Sequence, residues 1–511
     1  MDIHTFAAIY IGSYEVSLKI FELAVNSKNK EIDHVRYHIE LGKDAYSNGN
    51  IGYELVEELC TKLNDFSKIM KGYKVTEYEI YASAVFREVK NVAFVLDQIF
   101  LRTGFSIKLI NNSEHRFISY KSVAGRQKFE KMIQTSAAAI DVGGSGTQIT
   151  QFKDGNLITT QHIGLGTMRI RNLLDNRSIS FGSYVNQMEE YIEKKLETFA
   201  SLYPRTVNHI IFMGDYAMNV IKKVEKNHKE GDVVKTKKFV DYISKLQKKT
   251  IEEISTELNL SNDSDPLILP AILLFKNIAV SIKAEDVWVP GVNINDGMAY
   301  DYAERNHLVK VTHDFEKDVI SAANELSRRY NSYSPHIDAL CTLSVKIFDT
   351  MKKIHGLSNR ERLLLQVAAI LHDSGKFISL INAPECAYHI IMSSEIMGLS
   401  HNERKIVALT VLYNSYQLNE FEYLRSKLDH KSYLTVAKLS AILRVANALD
   451  QSHKQKFTNI KTAIKGRELV ITVESFEDIS LEQTLFEDKT EYFENVFSLK
   501  PVLKEKRVYR V

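Results

Sequence analysis

The stretch AAIDVGGSGTQIT, residues 138–150, decides how the chain is read. An apolar run ends in Asp141, then come Gly143, Gly144, Ser145 and Gly146, and the chain continues as TQIT from Thr147. This predicts a strand, a turn poor in β-carbons and a second strand. The N–H groups of such a turn converge on one spot, a concavity that suits phosphate oxygens. Asp141 at its mouth is placed for a divalent cation, because magnesium prefers oxygen ligands and bridges to substrate phosphates. Thr147 offers a hydroxyl. A similar strand and turn occur earlier, in AIYIGSYEV at residues 8–16, where Gly12 and Ser13 stand at the bend.

Working outward, each of these hairpins is followed by alternating strands and helices. The pattern predicts two α/β units, residues 1–125 and 126–305, each a sheet with helices on its faces, related as a weak internal repeat. After Asn306 the texture changes to long amphipathic helices, which predicts an all-α domain over 306–465. Residues 466–511 return to strands and predict a small α+β piece. The expected fold class is therefore α/β plus all-α. A helix opening on a Ser113 cap is expected at SEHRFISYKSVAGRQ.

Composition narrows the function. The 511 residues carry 66 basic and 64 acidic side chains, a net charge of +2, which gives no general drive toward nucleic acid. The lysine-rich run from Lys222 to Lys249 is the local exception, a solvated helical face or a basic wall for a polyanion. No window is apolar enough to span a membrane, and the first residues read as a strand rather than a secretion signal, so a cytoplasmic chain is expected. Three widely spaced cysteines, Cys60, Cys341 and Cys386, cannot make a disulfide framework or a thiolate metal cage.

Five motifs in order give a resemblance. AAIYIGSYEV is similar to A-I-D-L-G-S-N-S, and ASAVFREVKN (82–91) to A-T-S-A-x-R-x-A-x-N. DVGGSGTQIT, LGTMRI and NDGMAYDYA are similar to D-I-G-G-G-S-T-E-L, L-G-x-V-R-L and R-E-G-L-x-Y-D. Together they resemble the exopolyphosphatase and guanosine pentaphosphate phosphohydrolase family, part of the acetate kinase, sugar kinase, heat-shock seventy and actin superfamily. The resemblance implies two actin-like (ribonuclease H-like) lobes gripping one phosphate chain between their turns. It places Arg87 and Asn91 in the cleft beside Gly12, Ser13, Gly143, Gly144, Ser145, Gly146 and Thr147. It implies magnesium or manganese on Asp141, and a homodimer.

The family's base is a glutamate in S-G-x-E-E-A-R. In LINNSEHRF that role falls to Glu114 if one residue is deleted before Arg116, and to His115 if none is; Glu114 is the preferred reading. A carboxylate there would orient and deprotonate the attacking water. Several positions depart from the family form, Tyr14-Glu15 in place of Asn-Ser and the order Gly144-Ser145-Gly146 in place of Gly-Gly-Ser among them, and two of them remove carboxylates. Tyr10 and Gln148 stand where it carries carboxylates, which weakens the expected cation site. The third small-residue loop, usually G-x-G-G-T-x, is reduced to Gly214-Asp215-Tyr216.

The helical region carries ILHDSGKF, with His372 beside Asp373, and resembles the HD phosphohydrolase signature H…HD…D through His336 and Asp450. Two imidazoles and two carboxylates suit manganese, iron, zinc or magnesium. His389 and His453 have no assigned partner. Three functions follow as expectations. The chain is a hydrolase removing terminal phosphate from polyphosphate or guanosine pentaphosphate, or a regulator that binds such ligands without turnover, or a metal-dependent HD phosphohydrolase. In the first, the polyanion would run from the cleft toward the helical domain along lysines.

Overall fold

The computed structural model describes residues 3–25, 29–87, 89–174, 180–202, 206–225, 232–260, 265–311, 313–426 and 428–507. The chain divides into two compact units, residues 1–314 and 315–511. Part of the lysine-rich run, residues 226–231, lies outside the described residues.

The first unit holds two sheets. One is built from β1 (Ile3–Ile11), β2 (Glu15–Ala24), β3 (Lys30–His38), β4 (Glu77–Ala82) and β5 (Lys108–Leu109), in the order β3-β2-β1-β4-β5. The other uses β6 (Ser136–Val142), β7 (Thr147–Lys153), β8 (Asn156–Ile163), β9 (His209–Met213), β10 (Val233–Lys235) and β11 (Asp286–Trp288), in the order β10-β11-β9-β6-β7-β8. Traced from the hairpin edge, the second sheet runs β8-β7-β6-β9-β11. It repeats the first in order and in direction: two antiparallel pairings, then two parallel ones. The weak repeat in the sequence is thus a duplicated topology. Both central strands, β1 and β6, are apolar on both faces, as strands covered by helices on each side must be. The β7–β8 turn falls at Asp154 and Gly155, both at positive φ, the geometry a two-residue hairpin requires.

Two expectations about this unit need correction. Helix α1 (Asn112–Ala124) is capped by Asn111, whose side chain accepts the Glu114 N–H while Glu114 accepts the Asn111 N–H; Ser113 lies inside the first turn. Secondly, the helix Ile294–Arg305 was assigned by sequence to the second lobe, yet it packs on the first sheet. Ile294, Met298, Ala299 and Ala303 share a core with Phe6, Ala8, Phe21, Leu23 and Ile118. Gly297 allows this approach, since a β-carbon there would sit 1.9 Å from the Ile118 carbonyl oxygen. Asn295 fixes the register by donating to the Ala8 carbonyl (2.9 Å) and accepting from the Ser17 hydroxyl (2.9 Å). The first lobe is therefore closed by a segment that begins about 170 residues after the helix Asn112–Ala124 ends.

The second unit is the expected helical domain with its α+β end. Among its helices are Phe315–Arg329, Ser334–Thr350, Asn359–Leu371, His401–Ser415 and His430–Ala448. Ser358 with Glu361 and Ser400 with Glu403 form capping boxes that start two of them. The closing sheet is β12 (Phe457–Lys465), β13 (Glu468–Ser475) and β14 (Lys500–Arg507), in that order, with the helix Ser480–Phe497 packed on it. Its first strand begins at Phe457, so the α+β piece starts before the expected boundary at 466. Among the described residues no helix is long and apolar enough to cross a membrane, and all three cysteines are free thiols.

Candidate active site

The β1–β2 turn and the β6–β7 turn come from different sheets and line one cavity of about 440 Å³, together with Asp141, Gln148 and Gly214–Tyr216. They meet closely. A β-carbon on Gly144 would lie 2.4 Å from the Ser13 hydroxyl oxygen. The Gly143 N–H closes the second turn on the Gly146 carbonyl at 3.0 Å, and the first turn closes by the Gly12 N–H on the Glu15 carbonyl at 2.8 Å. Among the described residues no backbone hydrogen bond uses the amides of Gly144, Ser145 or Gly146. Adjacent amides of this kind suit an anion.

Oxygen acceptors stand beside the turn. Asp141 and Gln148 are direct cross-strand partners of the β6–β7 ladder, so their side chains share a face. Asp141 accepts the Ser119 hydroxyl at 2.7 Å. Gln148, only 7% exposed, donates its amide to Thr150 and Thr160 (3.1 and 3.2 Å). Its Oε1 is buried without a hydrogen-bond partner among the described residues. An orphaned buried carbonyl next to a carboxylate is a donor set that fits a divalent cation, with one negative charge where two acids would give two.

Imidazoles and a phenol complete this wall. Tyr10 and His115 face each other with ring centroids 5.5 Å apart. Burial, then the negative charge of Asp141, raises the Tyr10 phenol far above its ordinary value, so it stays protonated. Burial lowers His115, with Arg116 and Arg87 adding to the effect against Asp141. His162 falls to about 4, through burial and the charges of Arg116, His115 and Arg169. Both rings are therefore neutral near pH 7. At another part of the same wall Glu15 is pushed up to about 7 by burial, then by Asp215 and Asp265, with Arg36 opposing. Arg36 pairs with Asp215 at 2.6 Å and so joins β3 to the helix Asp215–Val224.

The residues expected from sequence separate into two groups. Gly12, Ser13, Asp141, Gly143, Gly144, Ser145 and Gly146 come together in the cavity wall. Four others do not line it. Glu114 spends its carboxylate on the Asn111 N–H, at 2.8 Å, and the neighbouring side chain that reaches the wall is His115. Thr147 is wholly buried and donates to the Leu165 carbonyl (2.6 Å). Asn91 clasps the backbone of Ile51, donating to its carbonyl and accepting its N–H. Arg87 is exposed and donates to Asn112, which is itself in the wall. Arg36 and Asp265 escaped sequence reading, and Glu15 and Asp215 were visible only as members of altered loops, because no local pattern joins positions this remote in the chain.

The helical unit gathers a second set. His336 lies with its Nδ1 2.8 Å from Asp450 Oδ2 and its Nε2 3.2 Å from His372 Nε2. Asp373 Oδ1 is 3.1 Å from His372 Nε2, and Lys376 holds the other oxygen at 2.6 Å. His453, left without a partner by the sequence, stacks on His336 with centroids 3.8 Å apart.

The fold is two-lobed and of the actin-like kind, with turns of both lobes lining one cavity. Residues 26–306 match the Ppx/GppA phosphatase family and residues 320–491 match domain III of Ppx/GppA phosphatases. The chain belongs to the Ppx/GppA phosphatase family. It is 22% identical over 456 residues to the guanosine-5'-triphosphate,3'-diphosphate pyrophosphatase of Aeromonas hydrophila, covering 86% of each chain. The protein of the same name from Aeromonas salmonicida is 21% identical over the same length. Among solved structures, an exopolyphosphatase from Cytophaga hutchinsonii superposes with a TM-score of 0.51 at 17% identity, over 60% of this chain and 99% of that one. The Aquifex aeolicus family member gives 0.50 at 19%, over 60% and 99%. These structural likenesses bear on the fold.

Proposed function

We propose that the cavity removes the terminal phosphate from inorganic polyphosphate, guanosine pentaphosphate or both. The observation that carries this reading is the meeting of Ser13 and Gly144, which brings two amide-bearing turns of different sheets to one anion. The Gly144–Gly146 amides and the Ser13 hydroxyl hold the terminal phosphate. Asp141 and Gln148 would hold magnesium or manganese, whose charge offsets that gathering on the phosphate oxygens. His115, rather than Glu114, takes a proton from the attacking water. The water oxygen bonds to phosphorus, the bond to the bridging oxygen breaks, and its electron pair leaves with the shortened chain. The Tyr10 ring packs against His115, and the Ser119 hydroxyl holds Asp141. Charge development is met by fixed donors, the largest contribution such sites make.

The same reading has the chain working in the cytoplasm, as its composition and first residues led us to expect, and as a homodimer, as the family resemblance implies. Tyr10 and Gln148, in place of carboxylates, favour one alternative, a regulator that binds these ligands without turnover. Phosphate release from medium-chain polyphosphate and from guanosine pentaphosphate, with magnesium or manganese, separates the two. Release that disappears in Asp141→Asn supports hydrolysis. Tight binding with no release under any cation supports the regulator.

A further inference from the structure

One histidine of the cavity wall has no part in the reaction set out above. His162 is the cross-strand partner of Gln148, and Gln148 is the partner of Asp141, so the three side chains form one row on one face of β6, β7 and β8. Neighbouring strands lie about 4.8 Å apart, which puts the His162 backbone about 10 Å from that of Asp141. The imidazole thus stands at the far end of the row from the carboxylate that would hold the cation. It lines the cavity. Its ring edge lies against the second turn: a β-carbon on Gly146 would sit 2.3 Å from His162 Cε1 and 2.6 Å from Nε2. Among the described residues no hydrogen bond engages either ring nitrogen. The surroundings are cationic, because the charges of Arg116 and Arg169 both act on the ring and Arg116 lines the same cavity. A free N–H donor among cations suits an anion and disfavours a metal ion.

Within the phosphohydrolase reading, on which this rests, we propose that His162 is a further phosphate contact: its Nε2–H donates to an oxygen of the terminal phosphate held on the Gly144–Gly146 amides. In an in-line displacement the attacking and leaving oxygens take the two ends, and charge is spread over three equatorial oxygens. A group lying on the turn that grips the phosphate meets one of those three. A base must stand instead where the water arrives, so His115 keeps that role. The His162 contact strengthens as charge gathers on the oxygen it holds. It also grips the phosphate directly at a site where Gln148, standing for a carboxylate, weakens the grip made through a cation.

The probe is orthophosphate, which needs no turnover, added to the full chain with magnesium present. His162→Phe keeps a flat ring on Gly146 and removes the N–H, whereas His162→Gln returns an amide N–H near the place of Nε2. Calorimetry should show orthophosphate binding weakened by about tenfold or more in His162→Phe, the loss expected for one hydrogen bond to a charged group, and largely restored in His162→Gln. Magnesium affinity measured without phosphate should be the same in all three proteins, and so should the thermal midpoint. In protein labelled with ¹⁵N-histidine, the His162 ring signal, identified by its absence from His162→Gln, should move when orthophosphate is added. Unchanged phosphate affinity in His162→Phe overturns the inference, and so does a parent that binds no orthophosphate. An unmoved His162 signal overturns it too, whatever the stability of the variants. Weakened magnesium binding in His162→Phe with phosphate affinity kept would make the imidazole a cation ligand and overturn it as well. Hydrolysis fails separately: orthophosphate binding that depends on His162, in a parent that releases no phosphate from polyphosphate or guanosine pentaphosphate, keeps the contact and removes the turnover.

Discussion

Ser13 Oγ lies 2.4 Å from the point a β-carbon on Gly144 would occupy, so the two turns cannot meet as they do if residue 144 has a side chain. The obstructing atom is the end of a rotatable side chain, so Gly144→Ala should displace Ser13 while leaving the fold intact. We expect phosphate release to fall by about a hundredfold, the cost of small misplacements in a preorganised site, with little change in the thermal midpoint. If the loss acts through Ser13, Gly144→Ala combined with Ser13→Ala is no worse than either alone. Additive losses would show that the turns work separately.

In the proposed reaction the adjacent residues Glu114 and His115 divide between stability and chemistry. Glu114→Gln should retain activity, and Glu114→Ala should cost about 1 kcal/mol of stability, the usual value of a cap, with kcat unchanged. His115→Ala should lower kcat by about 10²- to 10⁴-fold, the range for a lost proton acceptor, while the protein stays folded. The reverse outcome, activity lost in Glu114→Gln and kept in His115→Ala, would return the base to the carboxylate.

Gln148 presents an orphaned carbonyl beside Asp141, and Gln148→Glu would put a second charge there. Half-maximal magnesium should drop by about tenfold or more, as expected when a neutral oxygen ligand of a hard cation becomes a charged one. With chelator present the same variant should melt lower than the parent, because two carboxylates then face each other unpaired. An unchanged magnesium requirement would remove Gln148 from the cation site.

What could be read from the chain before folding follows the range of each interaction. The hairpins, their glycine turns and Asp141 were legible because one strand–turn–strand segment contains them all. The helix Ile294–Arg305 was assigned to the wrong lobe because its partners, Ala8, Ser17 and Ile118, are remote in sequence and only Gly297 hints at a close approach. Glu114 and His115 were ambiguous because a motif match slides by one residue, and a helix turns its side chains by about 100° per step. The Asn111 cap settles the phase. His453 had no assigned partner for a related reason: a left-handed turn after Asp450, not a helical repeat, carries it to His336.

Glu15 makes stability depend on pH in the opposite sense to most carboxylates. Its folded value of about 7 exceeds the ordinary 4.5, so the fold favours the protonated acid. Stability from this group is fully present below about pH 4.5 and is lost as pH rises through 7. The loss is up to about 3 kcal/mol, from the free energy of one pKa unit. Burial is the main cause, with Asp215 and Asp265 adding repulsion and Arg36 offsetting part of it. Glu15→Gln keeps the size and removes the charge. Unfolding at pH 8 should therefore find it more stable than the parent by about 1–3 kcal/mol, with the difference closing as pH falls toward 4.5. Because Glu15 shares the cavity wall with the turns, its ionisation also repels an anionic substrate. The parent's KM should rise above pH 7 while that of Glu15→Gln stays level. Parallel stability and KM profiles for the two proteins would mean that Glu15 is already ionised at pH 5 and that Arg36 outweighs its burial.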